Sequence, residues 1–365
     1  MTRKLVVHMA VDKLQAIIQE ASYDAILLTG VENPAAAKNL RYITGYTGSY
    51  GFAIVGPDYK YFVSDFRYRD QVAEQVPDFT FKEITKGYLS VLLEIVEAHD
   101  IQSLGFDKRI RYSEYEQYEK LGCELIPLDG VLESLRVSKT ADEVAKIKKA
   151  CEITDQALAD ILEKIQVGMT EKEVEVQLKN RMIELGADNT WDRFIVASGP
   201  RGAMPHGMAS DKVIQKGEMV TFDIGCSYQG YYSDLTRTVA MGEPSDKMKE
   251  LYDIVKDAQQ TCVDAAKAGI TGRALDKVAR DIIEAAGYGD HYKHGTGHGL
   301  GLDVHEEPRV SAANDKPLEL GACVTIEPGI YISGLGGVRI EDDVILTEDG
   351  CIVLNEFTKE LLIIE

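Results

Sequence analysis

Two aspartates carry the first sign of chemistry. Asp223 and Asp234 lie in the stretch EMVTFDIGCSYQGYYSDLTRTV, from Glu218 to Val239. Met219 to Ile224 is apolar and β-prone, Ser227 to Gly230 has turn chemistry, and Tyr231 to Val239 reads as a returning strand. The midpoint of the two acids falls between Tyr228 and Gln229, inside that turn. The expectation is a hairpin in which Asp223 and Asp234 oppose each other, give or take one residue of register. Opposed residues on a ladder have Cβ atoms roughly 5 Å apart. Two bare carboxylates at that separation repel unless one is protonated or a cation lies between them. Taken alone, the pair reads more simply as two solvated acids on an exposed edge.

A second stretch reverses that reading. Lys216–Gly225 aligns without gaps on Leu320–Gly329, with four of ten positions identical, and Asp223 falls on Glu327. The second copy runs into the glycine-rich turn Ser333–Gly337 and returns through Val338 to Glu341. The midpoint of Glu327 and Glu341 is residue 334, again inside the turn. The sequence therefore predicts two hairpins, each with an opposed acid pair. If the copies pack about a pseudo-twofold axis, all four carboxylates converge. Four buried carboxylates are prohibitively costly without cations. Two divalent ions roughly balance them, and a two-metal site uses such shared acids with ions ~3.5–4 Å apart.

Histidines complete the set. His8 and His99 are expected at the surface, while His206, His291, His294, His298 and His305 come late in the chain. Any one of these is more simply structural than a ligand. The loop HGTGHGLGLDVHEEP differs, because its glycines allow close backbone approach and it lies between the two acid hairpins. One histidine with four carboxylates is an oxygen-rich donor set, which favours Mn²⁺ or a similar metal over a thiolate zinc site.

The elements that position these residues alternate early in the chain. Residues 9–21 read as an amphipathic helix, 25–29 as a strand, 39–48 as a loop with two glycines, and 51–55 with 60–64 as a strand pair. Helix, strand, helix, strand, helix and strand follow to about Leu128, so the first part is α/β. The expected domains are 1–130, a linker over 131–140, and 141–365. In the last, a long charged helix from Ala141 precedes a helix with a Thr170/Glu173 capping box, and two further helices separate the acid hairpins. This second domain is expected to be α+β.

The bulk numbers set limits. A chain of 365 residues suggests two domains. With 60 acids against 40 bases the net charge is −20, which argues against nucleic acid or an anionic membrane as partner. The six cysteines are scattered, with no CxxC pair, so a cytoplasmic location is expected. No signal-peptide pattern and no membrane-length apolar run is seen.

With these residues in view, the chain resembles the pita-bread metallopeptidases, family M24, which include methionine aminopeptidase, aminopeptidase P and prolidase. Asp223, Asp234, His298, Glu327 and Glu341 match that family's five metal ligands. SGPRGAMPHGMAS resembles a segment of the proline-specific branch and places His206; HGTGHGLGLDVHEEP places His294, His298 and His305; IEPGIYI with GVRIEDD places Tyr331 and Arg339. In the first domain, NLRYITGYTGSYG and SDFRY are closer to aminopeptidase P-like proteins than to prolidases. Trp191 departs from the small or Phe residue of the family, and a core position is favoured for it over a pocket wall.

The resemblance implies a creatinase-like N-terminal domain and a pita-bread catalytic domain with a pseudo-twofold internal repeat. It implies two divalent ions, Mn²⁺ first, with Co²⁺ or Zn²⁺ as alternatives. Asp223 would hold one ion, His298 with Glu327 the other, and Asp234 and Glu341 would bridge. A hydroxide between the ions would attack an Xaa-Pro bond, with Glu327 as proton shuttle and His206 and His305 on the substrate carbonyl. His294, Tyr331 and Arg339 would line the pocket or orient the ligands. The expected substrates are proline-containing peptides and the expected assembly a homodimer. The leading expectation is aminopeptidase P-like activity, with prolidase as the alternative. A metal-free hydrolase resembling creatinase and an inactive peptide-binding module on the same fold are the remote ones.

Overall fold

The computed structural model describes residues 3–31 and 33–365, with side chains from residue 9 onward except that of residue 34. His8, expected at the surface, lies outside the described side chains. The chain divides into two compact units, Met1–Arg136 and Val137–Glu365.

In the first unit the apolar runs form β1 (Ala25–Thr29), β2 (Phe52–Val55), β3 (Lys60–Ser64), β4 (Thr80–Glu83), β5 (Ser103–Asp107) and β6 (Glu124–Leu128). Among the described residues they make one six-stranded sheet in the order β4-β3-β2-β1-β5-β6. β1 pairs parallel with β5 and antiparallel with β2. β1 and β2 are buried along their whole length, as strands covered on both faces must be. The helix Tyr88–Ala98 buries Val91, Leu92, Ile95 and Val96, the apolar stripe of its 3.6-residue period, in the core of this unit. Part of the loop expected over 39–48 is instead the helix Pro34–Thr44. Asn33 caps it by accepting from the Ala36 amide, and Gly45 closes it in the left-handed region at φ 73°. Those are helix start and stop signals, and they outweigh the two glycines that made the stretch look irregular. Within 131–140, Val131–Ser134 is a short helix with Leu132 buried.

The second unit is built twice. The first half has the helices Ala141–Leu162 and Glu171–Glu184, then β7 (Asn189–Thr190), β8 (Ile195–Ser198), β9 (Met219–Ile224), β10 (Cys226–Tyr228), β11 (Tyr231–Tyr232) and β12 (Leu235–Met241). The second half has the helices Asp246–Ala265 and Gly272–Ala285, then β13 (Gly297–Gly299), β14 (Glu306–Val310), β15 (Cys323–Ile326), β16 (Gly329–Ile332), β17 (Gly336–Arg339), β18 (Asp342–Leu346), β19 (Cys351–Val353) and β20 (Ile363–Ile364). Each half packs its helices on its own strands. Leu158, Leu178 and Met182 share a core with Phe222 and Val239, and Leu251, Val255 and Ile283 share one with Val324 and Val344.

The backbone repeats in detail. Thr170 bridges Val213 in the first half, and Thr271 bridges Pro317 in the second. Both threonines cap a helix through their side chains. The glycines that open the repeated segment, Gly217 and Gly321, both have positive φ, 84° and 78°. β9 and β15 begin at matching positions of the alignment, Met219 and Cys323.

The hairpin registers differ from one another. Asp223 pairs with Thr236 rather than Asp234. The turn is Gln229-Gly230, with φ of 47° and 79°, the double-positive pair of a tight two-residue hairpin. Continuing this register puts Asp234 opposite Gly225, two residues along from Asp223. The expected opposition was therefore misplaced, because the turn centre lies one residue later than the acids' midpoint. An offset of two keeps both acids on the same face of the ladder. In the second hairpin Ile326 pairs with Asp342 and Gly329 with Arg339, which puts Glu327 opposite Glu341. The outgoing acid thus repeats, while the returning acid does not: Glu341 corresponds to Thr236, and Asp234 to Arg339.

Candidate metal centre

Five side chains converge where the two hairpins meet. One ligand atom each from Asp223, Asp234 and Glu341 lies within 4.8 Å of the others, and so do atoms of His298, Glu327 and Glu341. The two groups share Glu341. His298 Nε2 is 3.4 Å from Glu327 Oε1 and 3.7 Å from Asp234 Oδ2. Asp234, His298 and Glu341 are buried.

The donor set fits cations. Asp234 Oδ1 and Glu341 Oε1 are buried with no hydrogen-bond partner, and an orphaned buried carboxylate oxygen is a costly feature unless something positive binds it. Burial first, and the Glu341 carboxylate second, push the Asp234 and Glu327 carboxyls well above the usual range. Burial and then Asp223 push Glu341 up as well. Divalent ions remove that repulsion. His298 Nδ1 lies 3.2 Å from the Gly299 carbonyl. A carbonyl only accepts, so Nδ1 carries the proton and Nε2 presents its lone pair toward the acids. Burial, then His305, holds its pKa down at about 3, the neutral state a ligand needs.

A second layer of residues holds these donors. The Thr236 hydroxyl donates to Glu341 Oε2 at 2.6 Å and accepts from Arg339 Nε at 3.1 Å. Arg339 also donates to Asp223 Oδ2 at 2.5 Å and to the Tyr331 hydroxyl at 2.8 Å. His294 Nδ1 is 2.7 Å from the Gly295 carbonyl, which leaves Nε2 to accept from the Tyr331 hydroxyl at 2.9 Å. Asp223, Arg339, Tyr331 and His294 thus form one hydrogen-bonded chain. The Asp234 amide donates to Asp343 Oδ2 at 2.8 Å. The Glu327 amide donates to the Thr296 carbonyl at 2.7 Å, and Thr296 is held by Asp276, itself paired with Arg280 at 2.9 Å.

The five candidate ligands, with His294, Tyr331 and Arg339, line a cavity of about 770 Å³. Every site residue expected from the sequence lines it, including His206 and His305. The His305 ring meets the His298 ring edge-on at 4.0 Å. Trp191, for which a core position was favoured, packs partly buried against the core of the first half and also lines the cavity. Its ring lies over Gly225, where an added Cβ would come within 2.6 Å. Ile195 and Met208 continue the apolar wall, and Arg193, Lys293 and Arg309 bring positive charge. The sequence reading missed these three bases, as well as Thr236 and Asp343. Thr236 takes the place of Glu341 in the repeat only once the register of the first hairpin is known. The bases have no motif of their own, and only the fold gathers them.

A model of metallopeptidase family M24 matches residues 145–348, and one of the creatinase/prolidase N-terminal domain matches residues 11–138. The Xaa-Pro dipeptidase of Pyrococcus furiosus is 39% identical over 356 residues, covering 96% of this chain and 99% of that protein. The solved structure of an Xaa-Pro dipeptidase from Bacillus anthracis is 42% identical with a TM-score of 0.94, covering 98% of this chain and 99% of the other. That of an X-Pro aminopeptidase from Thermotoga maritima is 38% identical with a TM-score of 0.89, covering 94% and 99%.

Proposed function

The chain belongs to metallopeptidase family M24, and we propose that it is a dinuclear-metal exopeptidase that cleaves Xaa-Pro dipeptides. The observation that carries the proposal is the five-residue donor set, with its two orphaned carboxylate oxygens, in a cavity that Arg193, Lys293 and Arg309 also line. The names of full-length relatives support the dipeptidase over the aminopeptidase P-like reading that the N-terminal motifs favoured. A dipeptide keeps its free carboxylate next to the scissile bond. Arg309, whose side chain is half exposed, and Lys293, which also pairs with Asp290 at 2.9 Å, line the cavity where such a charge can be received.

Asp223, Asp234, His298, Glu327 and Glu341 would hold two ions, with Mn²⁺ the first choice for so oxygen-rich a set. Bound there, divalent ions polarise a carbonyl oxygen and lower the pKa of water. The chain's own groups do the rest. Glu327, partly open to the cavity, carries the proton from the attacking water toward the leaving proline nitrogen. His206 and His305 offer ring N–H groups to the carbonyl oxygen as charge develops on it. Arg339 and Tyr331 keep Asp223 and His294 in place. Trp191, Ile195 and Met208 form a wall that excludes water from the apolar proline ring.

Turnover of Xaa-Pro and Xaa-Pro-Yaa peptides with added Mn²⁺, Co²⁺ or Zn²⁺ tests this. Dipeptides should be cleaved with kcat/KM about tenfold or more above the tripeptides, the discrimination expected when a charged substrate group loses its partner. Equal rates would move the assignment to an aminopeptidase, which the likeness to the Thermotoga structure keeps in view. All six cysteines are free thiols, and among the described residues no helix is long and apolar enough to cross a membrane; free thiols suit the reducing cytoplasm we propose as its location. Light scattering checks the proposed homodimer.

A further inference from the structure

Behind the histidine loop lies an ion pair that the mechanism above does not use. Lys139 Nζ meets Glu306 Oε1 at 2.9 Å, with side chains only 1% and 5% exposed. Burying such a pair costs desolvation on both partners, so the pair adds little net stability by itself. Glu306 directly follows His305. Its other oxygen, Oε2, accepts from the Asp303 amide at 3.2 Å, across its own loop. Lys139 also donates to the Val137 carbonyl at 3.1 Å, and its amide donates to Gly321 at 2.8 Å. Both ends of the pair are thereby fixed to backbone. Gly301 makes room for it: a Cβ there would come within 2.6 Å of Glu306 Oε1 and 3.0 Å of Lys139 Cε. On the outer side, Gly299 pairs with Glu306 across the β13–β14 ladder.

His305 is thus the residue between a turn and a strand that a single carboxylate ties together. Its ring needs that restraint. It projects into the cavity, touching the His298 ring at 4.0 Å, with one ring nitrogen among the atoms that cluster around Asp234 and His298. We propose that the buried Lys139–Glu306 pair is a positioning device for His305, fixing the backbone of residues 301–306 so that the imidazole meets the substrate carbonyl. This rests on the role given to His305 in the proposed function. Lys139 and Glu306 touch no reacting atom, so they are positioning residues.

The test uses the full chain labelled with ¹⁵N-histidine, the His305 ring signals being assigned by loss in His305→Ala. In Lys139→Met, and separately in Glu306→Gln, the His305 signals should shift or broaden while those of His99 stay in place. On an Xaa-Pro dipeptide, kcat should fall about tenfold or more with KM within about threefold, as for loss of a group that orients a working side chain. In a His305→Ala background the same substitutions should cost nothing further. Lys139→Arg, which keeps the charge and shifts its position, should fall between and serves as the folded comparison if the methionine variant is unstable. An unmoved His305 signal in folded variants overturns the proposal, with or without catalysis. So do losses that multiply in the His305→Ala background, which mark a role elsewhere. A wild-type enzyme inactive on every Xaa-Pro peptide would instead defeat the assigned function and leave the ring signals to decide the positioning.

Discussion

At the scale of single residues, the candidate metal centre is an exercise in supporting negative charge. Four carboxylates meet where the two hairpins join; Thr236 and Arg339 hold those of Glu341 and Asp223, while Asp343 and Thr296 hold the backbone amides of Asp234 and Glu327. Thr236 is the sharpest example, because one hydroxyl orients Glu341 and anchors Arg339, which in turn holds Asp223. Thr236→Val keeps the shape and removes both bonds. It should weaken Mn²⁺ binding or lower activity about 10–100-fold, the usual effect of losing an outer partner of a ligand. Titration calorimetry with Mn²⁺ reads the affinity directly, and an unchanged binding isotherm with full activity would show that Arg339 and Glu341 hold themselves. Asp223, Asp234, Glu327 and Glu341 were all legible as a set before any fold was known. Their braces were not, because Thr236 and Thr296 carry no chemistry of their own and act only through partners distant in sequence.

At the scale of elements, the site depends on two hairpins entering from equivalent places. Gly217 and Gly321 set those entries, each in the left-handed region just before its strand. Nothing crowds either position below 3.5 Å, so the cost of a side chain there is torsional. Gly217→Ala and Gly321→Ala should each destabilise the protein by about 1–2 kcal/mol, measured by denaturant unfolding, and the two costs should be similar. A neutral result at either position would mean that its backbone can relax out of the left-handed region. The repeat, the Thr170 capping box and both turns could be read in advance, since caps and turns are local chemistry. The register of the first hairpin could not. Ser227 to Gly230 offered several turn centres, and the choice of Gln229-Gly230 is made by Ser227 and Tyr228 pairing with Tyr232 and Tyr231. Similarly, the helix Pro34–Thr44 carried its caps in plain sight, yet the two nearby glycines made the region look like loop.

At the scale of the whole molecule, the chain carries a net charge of −20 and concentrates several of its acids in a buried cluster within the second unit. Bound cations should therefore stabilise the folded form by mass action, about 2.7 kcal/mol at a hundred times Kd. For a unit of this size that amounts to roughly 5–10 °C in Tm. Removing metal with a chelator should abolish turnover and lower the melting transition of the second unit, and Mn²⁺ should restore both. Scanning calorimetry checks this. A melting profile indifferent to chelation and to added Mn²⁺ would mean that protonation, rather than a cation, relieves the acid cluster.

By itself, the sequence determined the residue types, the repeat and the periodicities: α/β then α+β, two acid hairpins, a glycine-rich histidine loop, and the five candidate ligands. These are legible because turn chemistry, capping and strand alternation are written in neighbouring residues. Tertiary structure alone decided the rest. It set Asp223 against Thr236, turned Trp191 into a cavity wall, gathered Arg193, Lys293 and Arg309 around one cavity, and joined Lys139 to Glu306 behind His305. The first turns on which of several adjacent turn centres the hairpin takes, and the others on contacts between segments far apart in the chain. Side-chain partners at that range are chosen by packing and by the cost of burying charge, and no local pattern records either.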